Sequence, residues 1–127
     1  MAFNPANLQT ILKTSSAVTA LIGATPRCYP LVLPDSPTLP AVTYNQVGKT
    51  VSRVARMDTE RWQLDCWALS FAQSYALANA VEECLKTYTG KINGIRIEDV
   101  RFINRISTYE AVTKYYRHML EFRTVTL

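Results

Sequence analysis

The sequence has few of the residues that build metal and nucleophile sites. Its 127 residues include three cysteines and one histidine. Cys28, Cys66 and Cys84 are widely spaced and form neither a Cys-x-x-Cys pair nor a Cys/His cluster, so the spacing argues against a zinc site. Cys66 and Cys84 instead fall on apolar faces, where we expect small buried thiols in a reducing compartment.

Glycine is scarce as well, with four residues, and none of them belongs to a phosphate-binding loop. The segment Gly-Lys-Thr at 48–50 resembles the end of such a loop, but the residue five positions before Gly48 is Thr43 instead of the required glycine. The only histidine, His118, lies on the apolar face of the final strand, and the sequence suggests no serine or cysteine partner for it. A structural role is therefore favoured over a catalytic one.

Paired acidic residues give no catalytic arrangement either. Glu82-Glu83 and Glu98-Asp99 are neighbours in the sequence, and neighbouring side chains diverge on a helix or a strand. Neither pair is therefore placed to share a proton or a water molecule. We expect no enzyme activity and no cofactor.

Long apolar runs are also missing from the sequence. No stretch approaches the length of a membrane span, and the first residues contain neither the basic nor the apolar part of a secretory signal. The net charge of +4 is mildly basic, well short of the dense Lys/Arg clusters of a dedicated nucleic-acid binder. These features predict a product made or assembled in the cytoplasm, without a membrane partner.

The clearest pattern that is present is a strand leading into a capped helix, in residues 59–90. Every second residue from Trp62 to Ala68 is apolar, and this period of two predicts a strand with one buried face. Ser70 followed by Gln73 has the spacing of a capping box, and predicts a helix that ends at Gly90.

The N-terminal segment predicts an interrupted helix. Asn4-Pro5 has the form of a helix start, because Asn caps well and proline is accepted at the first helical position. Thr14-Ser15-Ser16 breaks the apolar stripe of residues 8–22, which predicts a kink or a restart capped by Ser15 or Ser16. Gly23 then ends the helix.

Residues 26–60 predict the edge of a sheet and a hairpin. Five prolines between 26 and 40 leave room for a short edge strand around 27–33 and an exposed loop. Residues 41–47 form a second strand, and residues 48–60 a projecting hairpin that carries Lys49, Arg53 and Arg56. The hairpin is either a solvated loop or a protrusion that contacts a neighbouring subunit, an acidic partner or passing DNA.

The C-terminal part predicts two further strands. The apolar positions change from odd (Ile95, Ile97) to even (Val100, Phe102, Ile106), and the change of phase at 98–99 predicts a β-bulge. The final strand runs over 115–125. The order of elements predicts one α+β domain over residues 1–127, with a largely antiparallel sheet of four to five strands and two main helices packed on one face.

Three side chains on the polar face of this sheet form a second candidate surface. Trp67 interrupts the polar face of its strand, while Tyr115 and Met119 lie on the corresponding face of the final strand. Either a second layer or the proline-rich loop covers them, or they form a subunit interface, where aromatic and methionine side chains are enriched.

Taken in order, these features resemble the tail terminator, or tail completion, proteins of long-tailed bacteriophages and prophages. The resemblance covers nearly the whole chain and depends on the order and spacing of packing and turn patterns. The segments that carry it are 17–23, 27–30, 39–44, 62–70 and 116–123.

The resemblance implies a structural role in the virion, at the neck between tail and head, with assembly in the host cytoplasm. Such proteins form a hexameric ring that caps the tail tube protein, ends its polymerisation and docks to a head-completion or connector protein. DNA passes through the channel without sequence-specific binding. On this interpretation the three hairpin cations are candidate contacts to partners or the lumen, and Trp67, Tyr115 and Met119 form the candidate subunit interface.

Two alternatives stay open at this point. Another neck component, such as a head-completion or adaptor protein, also forms rings of small α+β subunits. A small nucleic-acid-binding regulator is favoured less, because it needs a continuous basic face, and Glu98, Asp99, Glu110 and Glu121 interrupt the C-terminal cations.

Overall fold

A computed structural model describes residues 7–24, 26–54, 57–87, 90–92 and 95–126 of the chain. Within these residues the backbone forms three helices and six strands. In chain order they are α1 (Asn7–Lys13), α2 (Ser16–Ile22), β1 (Cys28–Pro30), β2 (Ala41–Ser52), β3 (Met57–Ala68), α3 (Phe71–Thr87), β4 (Gly90–Ile92), β5 (Ile95–Glu110) and β6 (Tyr115–Thr126).

The strands form one sheet in the order β1-β2-β3-β6-β5-β4. The β1–β2 pair is parallel, and all the other pairs are antiparallel. The α+β class with a largely antiparallel sheet is therefore confirmed. The strand count exceeds the expected four to five because two strands of three residues each, β1 and β4, lie at the two edges.

The N-terminal helix is interrupted where the hydroxyl run predicts. Ser15 caps α2, its side-chain oxygen accepting a hydrogen bond from the Val18 amide at 3.4 Å. Gly23 follows Ile22 with φ 95°, a conformation that favours glycine, and its amide bonds to the Thr19 carbonyl. The predicted start at Asn4-Pro5 lies outside the described residues.

All three helices pack on the same face of the sheet. The Ser70 hydroxyl accepts a bond from the Gln73 amide at 3.2 Å, so the predicted cap starts α3. The alternation in β3 places Leu64 and Cys66 against the helices, as expected. The fully buried core side chains come from both layers and include Leu8, Ile11, Leu12, Val18, Ile22, Leu64, Leu77, Val81, Leu120 and Phe122.

The strand β5 contains two bulges. The first falls between Ile97 and Asp99, as the phase change predicts. The second, between Phe102 and Asn104, was not predicted, and it reverses the alternation again. The even phase predicts Ile106 on the same face as Phe102, and this prediction is wrong: the bulge places Ile106 opposite Met119, on the face away from the helices.

Candidate interaction surfaces

The sheet face opposite the helices, here called the outer face, carries Trp67 near the end of β3. The Trp67 indole Nε1 donates a hydrogen bond to the Thr43 hydroxyl at 2.9 Å. Its ring meets that of Tyr115 edge to face, with centroids 6.4 Å apart, and the Arg117 guanidinium lies 5.0 Å from its centroid. The structure thus brings Trp67 and Tyr115 together, in one polar and aromatic cluster.

Arg117 connects this cluster to two carboxylates. Its guanidinium lies 3.8 Å from Asp65 and 3.6 Å from Glu110, and its Nε donates to the Thr108 hydroxyl at 3.2 Å. Burial raises the pKa of the Asp65 carboxyl above its usual value, although a hydrogen bond from Gln63 and the charge of Arg117 act in the opposite direction. The outer face therefore holds a buried acid at the base of its aromatic cluster.

A groove of about 380 Å³ lies between this cluster and the proline-rich segment 31–37. Trp67, Tyr115, Glu110 and Thr113 line one side, and the segment forms the other. The Arg27 side chain donates hydrogen bonds to the Pro40 carbonyl, which follows the segment, and to the Leu21 carbonyl on α2, both at 3.0 Å. The proline-rich loop therefore flanks the two aromatic rings and leaves an open groove beside them.

Met119, the third predicted interface residue, lies further along the outer face. It is opposite Asp65 on β3 and Ile106 on β5. It borders a separate shallow hollow with Gln63 and Glu121. The three predicted residues thus share one face, but Met119 does not line the groove that Trp67 and Tyr115 line.

The hairpin cations lie at the other end of β2 and β3. The two strands pair from Ala41↔Trp67 to Ser52↔Met57, with one bulge between Gln46 and Gly48. Lys49 lies 3.9 Å from Asp58 across the strands, and Arg53 is exposed in the turn. The third predicted cation, Arg56, lies outside the described residues.

The histidine has a partner that the sequence did not reveal. His118 Nδ1 lies 2.6 Å from the Ser74 hydroxyl on α3, and this hydroxyl is 2.9 Å from the Cys66 carbonyl. A carbonyl can only accept, so the Ser74 hydroxyl donates its single proton to the Cys66 carbonyl. The Ser74 oxygen then accepts a hydrogen bond from a protonated Nδ1 of His118. Burial, with the nearby charge of Arg105, lowers the pKa of His118 below its usual value.

This pair differs from a nucleophile–base pair in its proton arrangement. Ser74 is fully buried, and its proton is held by a main-chain carbonyl instead of the imidazole. The rings of Phe71 and Tyr75 pack against the imidazole at steep angles, with centroids 5.0 and 5.9 Å away. The pair can hold α3 against β3 and β6, but its geometry does not activate the hydroxyl.

The cysteines are separate buried thiols. All three are buried and none forms a disulfide, and burial raises the pKa of Cys28 to about 12. Among the described residues, no three His, Cys, Asp or Glu side chains are grouped so that they could hold a metal ion. Nor does any described helix have the length and apolar character needed to cross a membrane.

Comparison with known proteins defines the class. The family model described as tail completion protein gp17 matches residues 6–127. The chain therefore belongs to the tail completion protein gp17 family, and it is a structural protein of the bacteriophage tail and a component of the virion.

A solved structure with the same fold comes from a virion-like particle. One chain in the virion of a native gene transfer agent particle matches with a TM-score of 0.71 and 18% sequence identity. The match covers 94% of this chain and 90% of that chain, and at this identity it shows a shared fold. The search of curated proteins gave no significant match.

Proposed function

We propose that this protein is a ring-forming subunit, most simply of a hexamer, that closes the end of the finished tail tube. The observation that carries the proposal is the match to the tail completion family over residues 6–127. In this role the ring ends the polymerisation of the tube protein and presents a surface to a head-completion or connector protein. DNA passes through its channel without sequence-specific contacts, and the subunit performs no catalysis.

The distribution of buried surface supports a role in assembly. The helix side of the sheet forms a core in which Leu64, Leu120 and Phe122 are fully buried. The outer face instead carries the aromatic cluster and the open groove beside the proline-rich segment. A surface of this kind suits a partner protein, since aromatic and arginine side chains are enriched at interfaces.

The hairpin supports a second contact area. We propose a single domain whose hairpin at residues 48–60 makes this contact through its turn end, since residues 58–60 pair with β6 within the sheet. Lys49, Arg53 and Arg56 give this hairpin a positive charge that suits an acidic surface on a neighbouring ring or subunit. The same charge is compatible with a position near DNA in the channel.

Deletion of the gene from a virus that carries it tests the proposal. We expect overlong tails that are not joined to heads, visible by negative-stain electron microscopy, and rescue by the wild-type gene supplied in trans. Tails of normal length that remain unjoined would indicate a head-completion role instead. Normal joined virions would contradict both roles.

The purified protein gives a second measurement. Mixed with tail tubes, it should add one ring at a single tube end and prevent further growth when tube protein is added. Tubes that continue to grow at both ends in its presence would count against the capping role.

A further inference from the structure

The hairpin and the groove lie at opposite ends of the same strands. β3 begins beside the hairpin turn at Met57 and ends at Ala68, one residue after Trp67 in the groove wall. Its 12 residues span about 36 Å at the usual rise per residue in a strand. One subunit therefore cannot place its own hairpin tip, residues 51–54, in its own groove. It can present both surfaces to neighbouring copies.

The hairpin tip combines exposed aliphatic side chains with positive charge, which suits a surface that a partner covers. Val54 in the turn is 99% exposed, and Val51 on β2 is 59% exposed. Residues 49–58 contain three cations against one carboxylate. A binding site complementary to this tip is an apolar cavity with an acidic border.

The groove has this complementary character. Trp67 and Tyr115 provide an aromatic wall, and Leu31 and Val32, which are 72% and 73% exposed, extend the apolar surface on the other side. Asp35 and Glu110 contribute negative charge to the lining. The Arg117 guanidinium lies 3.6 Å from Glu110 and 3.8 Å from Asp65, so one cation is divided between two carboxylates.

Local bonds and prolines define the conformation of the proline-rich wall. Pro34 and Pro37 restrict its backbone, and the Leu31 amide bonds to the Tyr44 carbonyl at 2.9 Å. Leu31 has φ 64°, which residues with a side chain rarely adopt, and it keeps an apolar side chain exposed. Such outliers are concentrated at functional positions.

We propose that the hairpin tip of one copy occupies the groove of the next copy, with Val54 against the Trp67–Tyr115 wall and Arg53 facing Asp35. The contact is heterologous, because it joins two different surfaces, and repeated contacts of this kind close into a ring when the rotation between copies allows it. The inference rests on the proposed ring and names the surfaces that form its subunit contact.

Cysteine cross-linking in the full-length protein tests the contact. Val54→Cys and Thr113→Cys each place a thiol on an exposed position, at the tip and in the groove wall, while the native cysteines are buried. Mixing the two variants with tail tubes should give a disulfide-linked dimer. The double variant should give a ladder that ends at one closed species.

Ala17→Cys, an exposed position on α2, is the matched control for the groove thiol. We expect no cross-link between Val54→Cys and Ala17→Cys. A cross-link to Ala17→Cys as strong as that to Thr113→Cys overturns the proposal. So does a Val54→Cys variant that links mainly to itself, since that would indicate contact between two tips.

Charge exchange provides an independent measurement. Arg53→Glu should lower the yield of rings several-fold, because repulsion with Asp35 is repeated at every contact. Combining Arg53→Glu with Asp35→Arg should restore the yield. Lys86→Glu, at an exposed position on α3, should leave it unchanged; an equal loss there, or no rescue by the double variant, contradicts the proposed pairing.

The outcomes separate this inference from the proposed function. If wild-type rings form on tubes but the tip and groove thiols do not link, the contact is overturned and the capping role stands. If the wild-type protein forms no ring on tubes, the capping role fails, and the proposed contact fails with it.

Discussion

The two faces of the central sheet are built from alternate residues of the same strands, yet they are stabilised differently. On the helix side, Leu64, Leu120 and Phe122 are fully buried against apolar side chains from three helices. On the outer face, the Trp67 indole is hydrogen-bonded to another strand of the sheet and contacts the Arg117 guanidinium, which also pairs with a carboxylate of the sheet. Burial on the helix side therefore stabilises the fold, while the outer face is available to contact other molecules.

The buried polar groups show the same contrast. Ser74 and His118 on the helix side form one hydrogen-bonded chain that ends at the Cys66 carbonyl. Asp65 on the outer face is shared between Gln63 and the Arg117 guanidinium, which also contacts Glu110. The first arrangement fixes the position of a helix, and the second orders the wall of a groove.

The largest effect is expected from a core truncation. Phe122→Ala should lower the free energy of unfolding by about 3–5 kcal/mol, because it removes a fully buried ring and leaves a cavity. Ile106→Ala, at a half-exposed position on the outer face, should cost less than about 1 kcal/mol. Urea denaturation measures both values, and similar losses at the two positions would remove the distinction between the faces.

A smaller effect is expected from the buried serine. Ser74→Ala leaves the Cys66 carbonyl and His118 Nδ1 without this partner, so we expect a loss of about 1–3 kcal/mol in the same measurement. Ser16→Ala, at an exposed position on α2, is the control and should change stability little. A loss at Ser74 no larger than that at Ser16 would show that the hydrogen-bonded chain does not stabilise the fold.

The histidine predicts a dependence of stability on pH. The pKa of His118 is lowered in the folded state, so the unfolded chain binds more protons when the pH falls below the unperturbed value of about 6.5. Stability should therefore be complete above that pH and decrease as the pH falls through the folded pKa. The slope of stability against pH should be smaller in His118→Asn, because His118 is the only histidine. An unchanged slope would show that other groups cause the pH dependence.

The outer-face acid predicts the opposite direction, with the smallest effect. The pKa of Asp65 is raised in the folded state, so its contribution is favourable below the unfolded pKa and is lost as the pH rises through the folded pKa. Asp65→Asn should therefore gain stability relative to the wild type as the pH rises above the unfolded pKa of about 3.9. A relative loss over this range would show that the Arg117 contact outweighs the burial.

The sequence patterns predicted those parts of the fold that depend on local rules. The period of two in β3, the Ser70 and Ser15 caps, the glycine after Ile22 and the first bulge in β5 are all confirmed. Each follows from neighbouring residues, because side-chain alternation, capping and phase change act over a few positions.

Features that depend on distant residues were not predictable from these patterns. Ser74 and His118 are 44 positions apart, so their hydrogen bond follows from how α3 crosses β6. The second bulge in β5 places the apolar Ile106 on the outer face, against its apparent phase. The groove needs the proline-rich segment to return beside Trp67, which depends on the long-range contacts of Arg27 and on the β1–β2 pairing.

The edge of β5 that faces away from β6 affects how the protein behaves before assembly. Among the described residues, β4 pairs with β5 only at Ile95–Ile97, and no strand covers that edge from 98 to 110. A regular strand edge of this length invites aggregation, because its main-chain groups can pair with another chain. The two bulges interrupt the regular spacing of these groups, which disfavours edge-to-edge pairing between newly made subunits.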